Sequence, residues 1–313
     1  MTMAPARATP MTGILLAIGG SLVFSVNDVA IKFLSGDYPL HQVVLVRAVI
    51  GLAFLAGVIA TTGGHWGQLR TTRGGTHLLR ALVVIASNAT YFLALAALPL
   101  ADAVALAFVS PVFITLLSIP MLGERVGPHR WAAVAVGLIG TAVMLRPGAG
   151  AFQPAAVLVL ISAACYAFSQ MLARGMRETE SAVTLSFYNQ AGFLVSSAAM
   201  GLVAGDGRLA GSSDPSVQFL FRAWVWPPVA DWPAFAATGL AVALGGLMMA
   251  QAYRTCEAAV VAPFEYSAIP MAILWGAVVF GTMPDAVGLA GMALIVSAGL
   301  YTLWRETVRR KQG

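Results

Sequence analysis

Polar residues along this chain are grouped, and long apolar runs lie between the groups. Ten runs are long enough to span about 30 Å of hydrocarbon, which takes roughly 20 helical residues. They fall at 13–34, 41–62, 76–98, 101–122, 129–146, 154–174, 182–204, 233–253, 258–280 and 285–304. Most of the connections are tight: Pro99-Leu100-Ala101-Asp102 divides the third run from the fourth, and Gly123 to Pro128 divides the fourth from the fifth. The pattern predicts an all-α polytopic membrane protein of ten transmembrane helices. One connection is long. Residues 205–232 hold Trp224-Val225-Trp226-Pro227-Pro228 and Trp232, and Trp is enriched where membrane meets water. This segment is expected to lie along the interface, with a lid over a substrate path as the alternative.

The first run carries the sharpest anomaly. Ser21, Ser25, Asp28 and Lys32 fall at helical spacing on one face. An ionisable stripe within a membrane helix must face other helices or a water-filled cavity. Arg7 and an apolar run open the chain as a signal peptide would, yet no small-residue cleavage site follows, so the run reads as a retained first helix.

Composition agrees. Of 313 residues 59% are hydrophobic and 10% charged, against about 25% charged in a soluble domain; mean hydropathy is +0.82. The net charge of +5 sits in loops and not on one face, so topology explains it and nucleic acid does not. With the N-terminus placed inside, 13 basic residues (Arg7, Arg70, Arg73, Arg80, Arg125, Arg130, Arg174, Arg177, Arg254, Arg305, Arg309, Arg310 and Lys311) lie at the cytoplasmic side, and Arg146, Arg208 and Arg222 lie outside. The asymmetry predicts both termini cytoplasmic, in the inner (cytoplasmic) membrane, and makes 205–232 periplasmic. Cys165 and Cys256 have no metal or redox spacing; Cys165 reads as a small core residue.

A repeat runs through the chain. Shifted by 158 residues, Ala94–Gly123 lies on Ala252–Gly281 without a gap, Pro111 falls within one residue of Pro270, and Phe24-Ser25 pairs with Phe168-Ser169. Five helices per half is an odd number, so the halves, 1–150 and 151–313, insert in opposite directions. That inverted-topology plan recurs in secondary transporters.

Leu93 to Ala103, Ser110-Pro111 and Leu122-Gly123-Glu124-Arg125, then Gln251-Ala252-Tyr253-Arg254, Ala262-Pro263-Phe264-Glu265-Tyr266, Phe280-Gly281 and Pro284-Asp285, resemble the two repeats of EamA-type members of the drug/metabolite transporter superfamily. Arg222 to Pro227 resembles a bacterial branch of riboflavin and S-adenosylmethionine transporters. Gly281-Thr282-Met283 departs from the usual Gly-Glu pair of the second repeat. The resemblance implies a central cavity lined mainly by helices 1–4 and 6–9, buttressing by helices 5 and 10, and alternating access. It implies no cofactor, a small-molecule substrate, a bilayer around the protein, and leaves a homodimer open.

The candidate substrate- or ion-binding residues are Asp28, Lys32, Arg47, Asn88, Tyr91, Gln170, Asn189 and Glu265. Asp28 and Lys32, four apart, can pair on one helix face, with Lys32 snorkelling to the interface; alternatively Asp28 contacts substrate or a coupling ion. With Arg47 they form either one site of net charge +1 favouring an anionic group or a structural cluster in which Arg47 neutralises Asp28. Glu265 lies between Pro263 and Pro270, and these with Pro111 are candidate helix-break prolines. A carboxylate beside such a break is placed to bind a proton or cation, or else to hydrogen-bond a neighbouring helix. Asn88, Tyr91, Gln170 and Asn189 lie nearest mid-membrane.

The expected function is a secondary transporter of a small polar metabolite, proton-coupled or exchanging. A channel or facilitative pore is the alternative, disfavoured by a single-chain inverted repeat. An integral membrane enzyme is remote: His41, His65, His77 and His129 make no paired motif, and neither a Gly-x-Ser-x-Gly turn nor a phosphate loop is present. No catalytic or metal-ligating residue is therefore expected.

Overall fold

The structure, a computed structural model, describes residues 10–61, 66–123, 127–145, 154–176, 179–255 and 264–312. The described residues form helices and the turns that connect them, without strands. The helices are α1 (Pro10–Leu34), α2 (Leu40–Thr61), α3 (Gly74–Ala97), α4 (Leu100–Ala107), α5 (Ser110–Leu122), α6 (Pro128–Leu145), α7 (Pro154–Met176), α8 (Ala182–Ala204), α9 (Pro215–Phe221), α10 (Trp232–Thr255), α11 (Ala268–Phe280) and α12 (Ala286–Gln312). Each of the ten predicted runs overlaps one of these helices. Among the described residues six helical segments are long and apolar enough to cross a membrane, and Trp131–Leu145, Ala268–Phe280 and Ala286–Thr302 are shorter apolar helices. The protein is a multi-pass membrane protein.

Two runs are broken near mid-course. The fourth splits into α4 and α5 because Pro111 has no N–H to continue the ladder and its ring crowds the carbonyl one turn back. The chain tightens there, Phe108 N bonding Ala105 O at 3.2 Å and Val109 N bonding Leu106 O at 3.1 Å. Near Pro270 the same tightening occurs before α11: Ser267 N bonds Phe264 O and Ile269 N bonds Tyr266 O, both at 3.1 Å. After each break comes a 13-residue helix ending on a glycine in the left-handed region, Gly123 at φ 67° and Gly281 at φ 63°. Only glycine takes that conformation without strain, so both helices stop where the sequence places one. Pro263 lies outside the described residues.

The helices pack in pairs: α1 on α10, α3 on α7, α2 on α8 and α6 on α12. Without a hydrophobic force between helices in lipid, small residues let them approach closely. At the α6–α12 seam a Cβ on Gly140 would stand 2.9 Å from Gly291 O.

The long connection is built, not loose. Asp214 caps α9 by accepting from Ser216 N and Val217 N, and Phe219 is fully buried. The segment straps the end of the molecule that carries the α1–α2 turn. Arg222 Nη1 donates to Ser35 O at 3.1 Å. Gln42 donates to Val225 O at 2.7 Å and accepts from Val225 N at 3.2 Å. Ser216 Oγ donates to Leu93 O at 2.7 Å, and Trp224 stacks on His41. Tyr38 donates to Asp231; burial first, then that carboxylate, push the phenol up to about 12, so it stays a donor. Trp226 stays 85% exposed, as an interfacial anchor would.

Candidate functional site

The stripe on α1 faces inward, and Ser25, Asp28 and Lys32 go to different partners. Ser21 and Ser25 are buried; Ser25 accepts from Trp275 Nε1 at 3.0 Å. Asp28 accepts from Tyr91 OH at 3.0 Å and from Asn27 Nδ2 at 3.1 Å. Lys32 donates to Leu95 O at 2.8 Å and Leu98 O at 2.6 Å, and its ammonium stands 5.5 Å from the Phe280 ring centroid. Among the described residues Asp28 and Lys32 form no ion pair. The physical reason is competition: the last carbonyls of α3 have no intrahelical donor, and they take the ammonium that could have turned to Asp28.

Arg47 makes no hydrogen bond or close ion pair with Asp28, although the two charges attract each other at longer range. Its guanidinium lies between two rings, 5.1 Å from Phe92 and 4.8 Å from Phe193, and it is only 2% exposed. One hydrogen bond, Nη2 to Asn88 Oδ1 at 3.5 Å, joins it to the next layer. Cation–π contact explains why a cation can rest there.

A cavity of ≈ 590 Å³ lies between the two helix breaks, within the range of small-molecule sites. Its described walls come from α1 (Phe24, Asp28), α3 (Ser87, Asn88, Tyr91), α4 and α5 with their junction (Val104, Ala107, Phe108, Ser110, Pro111, Ile114), α7 (Ser162, Ala163, Tyr166), the α11 approach (Glu265, Tyr266, Ala268) and α12 (Gly299, Thr302). The break residues meet: the Phe108 and Tyr266 rings stack at 4.8 Å between centroids and 30° between planes. Helix α12 reaches the wall because Gly299 leaves room for the Tyr266 hydroxyl, on which a Cβ would fall. The tenth segment, expected only to buttress, thus contributes to the lining.

Of the sequence candidates the structure brings Asp28, Asn88, Tyr91, Glu265 and Pro111 to this cavity. Lys32, Arg47, Gln170, Asn189 and Pro270 are absent from its described lining. Gln170 donates to Tyr166 OH at 2.7 Å, beside the cavity. Asn189 accepts from Arg80 Nη1 at 3.1 Å, at the α3–α8 contact. Pro270 sits in the first turn of α11. To the sequence candidates the cavity adds Tyr166, Tyr266 and the buried pair Ser87–Ser162, whose hydroxyls lie 3.2 Å apart. For Tyr166 and Tyr266 a signal existed: an aromatic hydroxyl inside an apolar run. For the serines there was none.

Comparison with known proteins bears out the EamA-type resemblance. Residues 11–146 match the EamA-like transporter family. A riboflavin transporter of Rhizobium johnstonii is 27% identical, over 100% of this chain and 97% of its own length. The pseudopaline exporter CntI of Pseudomonas aeruginosa is 28% identical over 92% and 94%. An S-adenosylmethionine uptake transporter of Rickettsia prowazekii is 22% identical over 97% and 96%. A solved crystal structure at 20% identity superposes with a TM-score of 0.63, over 94% of this chain and 97% of the other, and so shares the fold.

Proposed function

We propose that this chain, whose first half carries an EamA-like transporter domain, is a secondary transporter moving a small polar metabolite across the cytoplasmic membrane by alternating access. The carrying observation is a ≈ 590 Å³ cavity with two carboxylate side chains in its wall, set where two helices break. Broken helices at a midplane site are a recurring transporter design. The relatives are named as transporters of riboflavin and S-adenosylmethionine and as an exporter of pseudopaline, which supports a small-molecule cargo.

Two inverted five-helix repeats, 1–150 and 151–313, fit the packing. Exchanging the halves turns the α1–α10 pair into the α7–α3 pair, α5 into α11, Gly123 into Gly281 and Phe108 into Tyr266. With the N-terminus cytoplasmic, the strapped end faces the periplasm. The strap tethers then support a state closed on that side. Asp28 and Glu265 are the residues through which exchange or proton coupling runs.

Counterflow into proteoliposomes tests the proposal. Vesicles preloaded with unlabelled riboflavin or S-adenosylmethionine are expected to accumulate the matching labelled compound transiently, a trans-stimulation that a channel does not give. Asp28→Asn and Glu265→Gln are each expected to lower exchange while the protein still inserts. Wild-type exchange in both variants refutes the assigned role of the carboxylates.

A further inference from the structure

The charges near the cavity are sorted. Asp28 and Glu265 line it, and none of its described lining residues is basic. Three cations stand nearby, none of them in the described wall: Lys32 bonds the carbonyls of Leu95 and Leu98, Arg47 lies between Phe92 and Phe193, and Arg80 bonds Leu185 O and Asn189 Oδ1 within electrostatic reach of Tyr166. Arg47 touches the cavity wall through Asn88, whose amide oxygen it holds, and its charge attracts Asp28 without bonding it. The net positive site that the sequence allowed is therefore not what the cavity presents.

Five aromatic rings share the wall with the carboxylates: Phe24, Tyr91, Phe108, Tyr166 and Tyr266. Ring faces carry negative quadrupole charge and attract cations. They also supply flat apolar contact. Asp28 is fixed by Tyr91 and Asn27, each giving it one hydrogen bond. A carboxylate oxygen can accept more than one bond, so this anchoring leaves it able to receive a ligand's donor.

We infer that this cavity takes an organic cation with a flat aromatic body: the charged head seats on the Asp28 carboxylate, and the body lies against the rings around the Phe108–Tyr266 stack. The inference rests on the transporter reading and narrows its substrate class. An anionic compound of the same shape meets like charge at Asp28 and finds no described cation in the wall. A neutral one keeps the ring contacts and loses the ion pair.

Three indoles of nearly equal shape separate these cases: tryptamine (cation), tryptophol (neutral) and indole-3-propionate (anion). Each is titrated against the purified full-length protein at neutral pH, followed by calorimetry. Tryptamine is expected to bind at least about tenfold more tightly than the propionate, a difference of about 1.4 kcal/mol, with tryptophol between them. In Asp28→Asn the preference of tryptamine over tryptophol is expected to fall below about threefold. If that variant does not fold, Tyr91→Phe takes its place: it removes one of the two hydrogen bonds that fix the carboxylate and favour its charged form, and is expected to weaken tryptamine more than tryptophol. Equal or tighter binding of the propionate overturns the inference, as does a cation preference that survives the substitution. Failure of all three to bind overturns it too. None of these outcomes touches the counterflow result, by which the transporter reading stands or falls separately.

Discussion

Replacing Lys32 by Met decides whether this residue belongs to the site or to the frame. The ammonium makes two short hydrogen bonds to the end of α3, 2.8 Å to Leu95 O and 2.6 Å to Leu98 O. Charge-assisted bonds contribute about 1.5–3 kcal/mol each, and a cation at a helix C-terminus adds about 0.3–1 kcal/mol. Lys32 is only half-buried, so water reaches part of the gap its loss leaves. A net destabilisation of about 2–4 kcal/mol is expected after that discount. Met keeps the length and apolar stem of the side chain, so lost packing contributes little. The assay is unfolding in mixed micelles by titration with sodium dodecyl sulfate, followed by circular dichroism. The preference for tryptamine over indole-3-propionate is expected to persist. A change below about 0.5 kcal/mol, the range of neutral surface substitutions, refutes the capping role. Loss of tryptamine binding at wild-type stability moves Lys32 into the site.

Gly299→Leu is expected to push Tyr266 off its stack with Phe108 and to fill part of the cavity, weakening tryptamine binding by at least about tenfold; an unchanged dissociation constant, in a protein that still elutes as a single folded species, refutes the placement of α12 at the wall. Gln42→Leu removes the paired bonds to Val225, so hydrogen exchange at the Val225 amide is expected to accelerate by about tenfold, equivalent to about 1.4 kcal/mol of local protection. Unaltered exchange there means that the strap does not depend on this tether.

The apolar runs were legible because hydrocarbon thickness imposes a length, and the helices occupy those runs. The break at Pro111 was legible for a local reason, the missing N–H. Partner choice was not. Asp28 and Lys32 have ideal spacing for each other, yet an unpaired helix end 63 residues away in sequence takes the lysine. Arg47 reads from sequence as a member of the Asp28–Lys32 site or as the group that neutralises Asp28; its fate depended on Phe92 and Phe193 arriving from two other helices. The depth of Asn189 in its apolar run is legible, and depth does not say that Arg80 stands beside it. Glycine 299 carried no visible message, since its importance lies in what Tyr266 puts against it.

The housing of Arg47 sets a schedule for synthesis. Helix α2 leaves the ribosome with its arginine early, at an insertion cost of about 2.5–3.5 kcal/mol for a charge at helix centre. Phe92, Asn88 and then Phe193 complete its surroundings. Phe193 lies 146 residues later (193 minus 47), which at about 5–20 residues per second is roughly 7–30 s. For that interval the newborn first half holds an incompletely shielded cation inside the bilayer. The half-made protein therefore differs from the finished fold at this residue, whose guanidinium still lacks one of the two rings that house it.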